Sequence, residues 1–197
     1  KNFLNSKMYR SVSVSPDGSL VMVSFIKTPF SYLVSYYRFP TEYRVDKNSG
    51  DLVKVIQDSP LMEELPKGRM STTNEPRNIG WRKDVGASLY FFKALDKGDP
   101  ENKVEYRDAL YQWDYPFNNN PKLILKVNNR LSNIIWGNKD IAIANDTWWN
   151  NRNVKTYLFN PSKPSKKALV IENRNYQDIY SDPGNFLMKN SKYNTKI

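Results

Sequence analysis

The stretch Arg10-Ser11-Val12-Ser13-Val14-Ser15-Pro16-Asp17-Gly18, followed by Leu20 to Ile26, is written as two strands and a turn. Polar and apolar residues alternate from Arg10 to Ser15, the period of a half-buried strand. Pro16-Asp17-Gly18 is tight-turn chemistry, and the β-branched run after it supplies a second strand, so the unit reads as a hairpin. A second hairpin follows: Tyr43 to Asp46, a turn at Asn48-Ser49-Gly50-Asp51, then Leu52 to Ile56. The arrangement recurs with Arg77 to Trp81, a turn at 83–86 and Ser88 to Leu95, joined by strands at Arg107 to Asp114 and Lys122 to Val127. It recurs once more with Leu131 to Trp136, a turn at Gly137-Asn138-Lys139, Ile141 to Asn145, Lys155 to Phe159 and Ala168 to Ile171.

The leading turns begin near Pro16, Arg82 and Gly137, at spacings of 66 and 55 residues. Propeller blades without insertions repeat at about 40–50 residues, four strands each. The longer spacings fit blades with inserted loops, at 27–42 and 57–76. The expected fold is all-β: three four-stranded antiparallel blades of a partial β-propeller over 1–190, with blades near 10–57, 77–127 and 131–172. Residues 182–197, opening on Asp182-Pro183-Gly184, read as a tail or connecting segment. The best helix candidate is Ser59 to Leu65, with Ser59 as N-cap and Pro60 at the first helical position.

Composition narrows the function. The 197 residues are 39% hydrophobic and 14% aromatic, enough for a core. There is no Cys and no His. That excludes a disulfide framework, a thiolate zinc site, a cysteine nucleophile and a Ser-His-Asp triad within this chain. A binding or gating module is expected rather than a catalyst, with no cofactor and no metal. Asp96-Lys97-Gly98-Asp99-Pro100-Glu101 is acidic but lacks the ligand spacing of a calcium loop, and reads as a turn. Asn145-Asp146-Thr147 fits the glycosylation sequon, a weak signal. No apolar run approaches the ~18 residues of a membrane span. Lys1-Asn2-Phe3-Leu4-Asn5-Ser6 has no apolar leader core, and the opening reads as the interior of a longer chain.

Charge is uneven. Residues 1–115 carry 17 Lys/Arg and 15 Asp/Glu, whereas residues 116–197 carry 13 and 5. The basic C-terminal part is either a set of solvated lysines or a surface for an acidic partner. A polyanion- or nucleic-acid-binding β module is therefore one alternative function. It lacks a Lys/Arg stripe interleaved with aromatics, so nucleic acid is not the expected partner. A stand-alone ligand-binding propeller scaffold is the other alternative.

The most unusual stretch is Phe30-Ser31-Tyr32-Leu33-Val34-Ser35-Tyr36-Tyr37-Arg38-Phe39-Pro40, too aromatic for an ordinary loop. Ordered loops on a rigid scaffold commonly carry binding residues, and Tyr and Arg are frequent hot spots. The competing reading is a small core that pins a long loop. Trp81 and Trp136 are expected to pack sheet on sheet. Trp148 and Trp149 are adjacent and cannot both point to one face of a strand, so one of them should meet a ligand, a loop or a neighbouring domain.

Several motifs, taken in order, carry a family resemblance: Pro29-Phe30-Ser31-Tyr32, Arg38-Phe39-Pro40, Pro76-Arg77, Trp81-Arg82, Ala94-Leu95-Asp96 with Gly98-Asp99, Trp136-Gly137, Trp148-Trp149, Asn160-Pro161 and Asp182-Pro183-Gly184. Together, from about residue 10 to 190, they resemble the propeller of the prolyl oligopeptidase family of serine peptidases, especially bacterial relatives of glutamyl endopeptidase. The resemblance implies a propeller fragment of a dipeptidyl-peptidase-like hydrolase. Its partners would be the parent's C-terminal α/β-hydrolase domain and a peptide substrate. The implied mechanism is steric, excluding folded proteins from the substrate chamber. No G-x-S-x-G elbow is present, so no catalytic residue carries over. Arg38, Tyr32, Tyr36 and Tyr37, with Trp148 and Trp149, are the expected substrate or interdomain contacts. Thr28 stands where a basic residue would be expected before Pro-Phe-Ser-Tyr. The resemblance also implies export, periplasmic or extracellular. A three-blade piece leaves two blade faces open, so a homodimer through them is expected.

Overall fold

A computed structural model describes residues 4–197; Lys1, Asn2 and Phe3, the start of the leader reading, lie outside the described residues. Twelve strands form three sheets. The first holds β1 (Met8–Val14), β2 (Leu20–Ile26), β3 (Thr41–Lys47) and β4 (Leu52–Ser59). The second holds β5 (Arg77–Trp81), β6 (Ser88–Ala94), β7 (Asp108–Asp114) and β8 (Lys122–Val127). The third holds β9 (Arg130–Asn138), β10 (Ile141–Trp148), β11 (Asn153–Phe159) and β12 (Leu169–Asn175). Each sheet is an antiparallel meander in which spatial order follows chain order. The fold is all-β, three blades of a propeller. Two short 3-10 turns, Tyr36–Arg38 and Ile179–Ser181, are the helical elements among the described residues. Among the described residues no helix is long and apolar enough to cross a membrane.

The leading hairpin shows why local chemistry suffices to place the strands. Gly18 takes φ +73°, a conformation that disfavours a side chain. The Asp17 carboxylate accepts from the Ser15 hydroxyl at 2.7 Å and the Ser19 amide at 3.0 Å, holding the turn closed. The Asp17 amide in turn donates to the Gly86 carbonyl at 3.3 Å, joining the leading turns of the first two blades.

Two cores glue the sheets face to face. Leu20, Met22 and Val45 of the first sheet meet Trp81, Leu89 and Phe117 of the second. Phe92, Leu110, Ile124 and Val127 of the second meet Leu131, Trp136, Ala142 and Phe159 of the third. Trp136 is 1% exposed, within 5.4 Å of the Tyr90 ring centroid, with the Arg82 guanidinium stacked 4.3 Å over it. Trp81 and Trp136 thus both pack between blades.

Two expectations need correction. β1 is not half-buried: it is an edge strand paired with β2 alone among the described residues, and Val12 and Val14 are 64% and 55% exposed. Ser59 to Leu65 is not helical. Ser59 ends β4, and its hydroxyl accepts from the Gln57 amide at 2.5 Å instead of capping a helix. The segment after it is held extended by the Met62 amide, which donates to the Arg38 carbonyl at 3.0 Å.

A candidate interaction face at one end of the blades

In an antiparallel meander, alternate connections fall at the same end. The β2–β3 loop (27–40), the β4–β5 linker (60–76), the β6–β7 loop (95–107) and the β10–β11 turn (149–152) therefore share one end of the three sheets. The linker crosses them all. Its Met62 amide bonds to Arg38, its Thr72 amide donates to the Gly98 carbonyl at 2.9 Å, and its Met70 carbonyl accepts from Arg130 Nε at 2.9 Å. Gly98 sits at φ +80°, and a Cβ there would lie 2.0 Å from the Thr72 carbonyl oxygen. Only glycine lets the two backbones approach this closely.

A buried ionic hub anchors the same end. Asp96, Asp108 and Arg130 are 1%, 0% and 6% exposed. Arg130 Nη1 donates to Asp96 at 2.7 Å and Asp108 at 3.1 Å. Arg107 reaches Asp96 at 3.0 Å, Arg77 pairs with Asp108, and the Leu131 amide donates to Asp108 at 2.7 Å. Burial pushes the Asp108 carboxyl above its ordinary value, against the pull of Arg77 and Arg130. Burial likewise lowers Arg77, against the pull of Asp108. Three cations on two carboxylates weld the second blade, the third blade and the linker. The Asp96 to Glu101 segment is the turn expected from its sequence, and it also carries the centre of this hub. None of its partners was legible: they lie 11 to 34 residues away, and the one local clue is the Asp-x-Gly turn that places Asp96 at a strand end.

The expected contact residues divide into two groups. Tyr32, Tyr36 and Tyr37 are exposed on the β2–β3 loop, Tyr32 completely, with Arg38 half-buried beside them. The loop is braced by Phe30 against Phe39 at 5.6 Å and by Ser31 donating to Glu63 at 2.6 Å. Arg10 lies 5.6 Å over the Tyr36 ring. The Arg38 guanidinium has no hydrogen-bond or ion-pair partner among the described residues, while its backbone is tied down through Ser35 and Met62. Phe30 packs on Phe39 yet stays 52% exposed, so the loop has a brace but no buried core of its own.

Trp148 and Trp149 stand on the third blade, away from that loop. Arg107 stacks 4.2 Å over Trp148, while Arg69 and Arg152 lie 4.3 and 3.9 Å over Trp149. Both indoles thus meet arginines from loops. The linker, through Met62 and Arg69, is the bridge between the two groups.

Between the first two blades, below Tyr37, lies a cavity of about 140 Å³ lined by Arg10, Thr41, Gln57, Thr73 and Arg77. Gln57 Oε1 and Arg77 Nη1 are buried there without partners. Among the described residues no group of three or more His, Cys, Asp or Glu could hold a metal. The Asn145 amide of the sequon donates to Thr156 Oγ1 at 2.9 Å and is engaged within the sheet. The face can bind through aromatic surface and guanidinium donors.

No protein-family model matches the chain. It is 30% identical over 192 residues to the probable glutamyl endopeptidase, chloroplastic, of Oryza sativa subsp. japonica, covering 96% of this chain and 20% of that protein. The protein of the same name from Arabidopsis thaliana is 28% identical over the same length and shares. Both relatives are plant proteins rather than bacterial ones. Among solved structures, the acylaminoacyl peptidase of Pyrococcus horikoshii superposes with a TM-score of 0.47 at 14% identity, covering 87% of this chain and 26% of that one. An uncharacterized protein of Listeria monocytogenes EGD-e gives 0.46 at 15% identity, covering 83% and 40%. The chain is thus similar, along nearly its whole length, to proteins named glutamyl endopeptidase, and spans about a fifth of theirs.

Proposed function

We propose that this chain is a non-catalytic propeller segment of a serine peptidase of the prolyl oligopeptidase type, and that its loop face forms part of the wall of the substrate chamber. The observation that carries the reading is the similarity to glutamyl endopeptidases over 96% of the chain. The three blades, the absence of His and Cys, and the exposed Tyr32-to-Arg38 loop support it. The hydrolase domain, the Ser nucleophile and the peptide substrate belong to the parent protein. The propeller acts by size: blades welded by the buried hub hold the loops in place, so an unfolded peptide is admitted and a folded protein excluded. Export of the parent is part of the same proposal, and fractionation of the source cells tests it.

Arg38 is the proposed contact to a substrate carboxylate or to the hydrolase surface, as a planar fork of free donors. Tyr32, Tyr36 and Tyr37 line the same wall. Arg38→Ala in the full-length parent should lower kcat/KM for peptides by roughly ten- to a hundredfold, the loss of a charge-assisted hydrogen bond of about 1.5–3 kcal/mol. An unchanged kcat/KM with a lowered melting temperature would make the loop a packing device instead.

A further inference from the structure

We infer that the outer rim of the molecule carries a docking groove for an extended acidic peptide segment, starting at Tyr106 of the β6–β7 loop and running away from the loop face. The groove lies between the outer strands of the second and third blades, β8 and β12, and encloses about 620 Å³. Its floor is apolar: Leu123, Ala168 and Val170, with Leu123 36% and Val170 46% exposed. Its rim is cationic: Lys126, Lys166 and Lys167, all exposed.

Three observations select the occupant. Both walls are sheet edges, since β8 pairs with β7 alone and β12 with β11 alone, so each presents unpaired backbone groups to an added strand. No Asp or Glu lines the groove, and among the described residues Lys27 is the one lysine in an ion pair, so the rim lysines have no internal counter-charge. The strand edge is itself apolar, with Leu169, Val170 and Ile171 at 60%, 46% and 44% exposure in succession. An incoming strand that alternates apolar and acidic side chains would place the first on Leu123 and Val170 and the second against the lysines. Three of the 13 Lys and Arg of residues 116–197 stand on this rim.

The test is fluorescence anisotropy on the 197-residue chain, with a labelled octapeptide alternating aspartate with leucine or valine. Saturable binding is expected, weakened at least tenfold by K166E together with K167E and by Val170→Asp, and falling with salt. The matching peptide with lysine in place of aspartate should not bind; that arm uses the unmodified chain, so it stands even if a variant fails to fold. Equal binding of both peptides, or binding unchanged in K166E/K167E, would overturn the inference. So would two other results: attachment to phosphatidylserine vesicles without peptide binding, which gives the groove to a membrane surface, or a chain dimer that Val170→Asp dissociates, which gives it to a second copy.

Discussion

Replacing Arg130 with Met should loosen the joint between the second and third blades. The Arg130 side chain is 7% exposed and serves four acceptors: Asp96, Asp108 and the carbonyls of Met70 and Arg107. Methionine fills a similar volume, so little of the effect would come from a cavity. What remains is electrostatic. Asp96 keeps Arg107 and Asp108 keeps Arg77, yet both carboxylates stay buried with one cation fewer. Removing one partner of a buried ion pair costs about 3–5 kcal/mol. For a chain of this length that corresponds to roughly 6–20 °C in Tm. Differential scanning calorimetry measures it directly. Asp96→Asn in the same background should recover part of the loss, because it removes a carboxylate that Arg130 no longer neutralises. A fall in Tm of less than about 2 °C for Arg130→Met would refute the claim that this hub holds the blades together.

Other outcomes follow from the same geometry. Gly98→Ala should destabilise by about 1–3 kcal/mol from the positive φ alone and displace the linker from Thr72; urea unfolding reads the first effect, and faster proteolysis within 60–76 the second. Asp146 is buried, accepts from Asn129 and Tyr157, and burial raises its carboxyl above its ordinary value. Its native form therefore holds a proton more tightly than the unfolded chain does. The stability it contributes is fully present below about pH 3.8 and declines as pH rises through the folded value. The Tm advantage of the wild type over Asp146→Asn should accordingly be larger at pH 4 than at pH 7, and the opposite order would contradict the reading. Light scattering at micromolar concentration should show self-association through open blade faces, Val12 and Val14 at one end of the array; a strict monomer would count against it.

The strands were legible because their signals are local. Alternation over five to eight residues and turns such as Pro16-Asp17-Gly18 need no distant partner to be read. Ser59-Pro60 misleads for a related reason: it satisfies the local grammar of a helix start, but the strand before it and the Arg38 carbonyl claim the residues first. The hub was not legible, since nothing in the neighbourhood of Arg130 says that Asp96, 34 residues earlier, will face it. Arg38 was visible as an oddity of composition. That its guanidinium has no partner among the described residues while its backbone is fixed is a property of the folded loop alone.

In the proposed division of labour, this chain shapes the substrate chamber and a serine elsewhere in the parent does the chemistry. Labelling with a fluorophosphonate probe, which reacts with activated serines, tests it on the full-length protein and on the 197-residue chain side by side. The account predicts that the full-length protein is labelled at a serine outside residues 1–197 and cleaves peptides, while the chain alone is neither labelled nor active. A labelled serine within residues 1–197, or a full-length protein that takes no label, would contradict it.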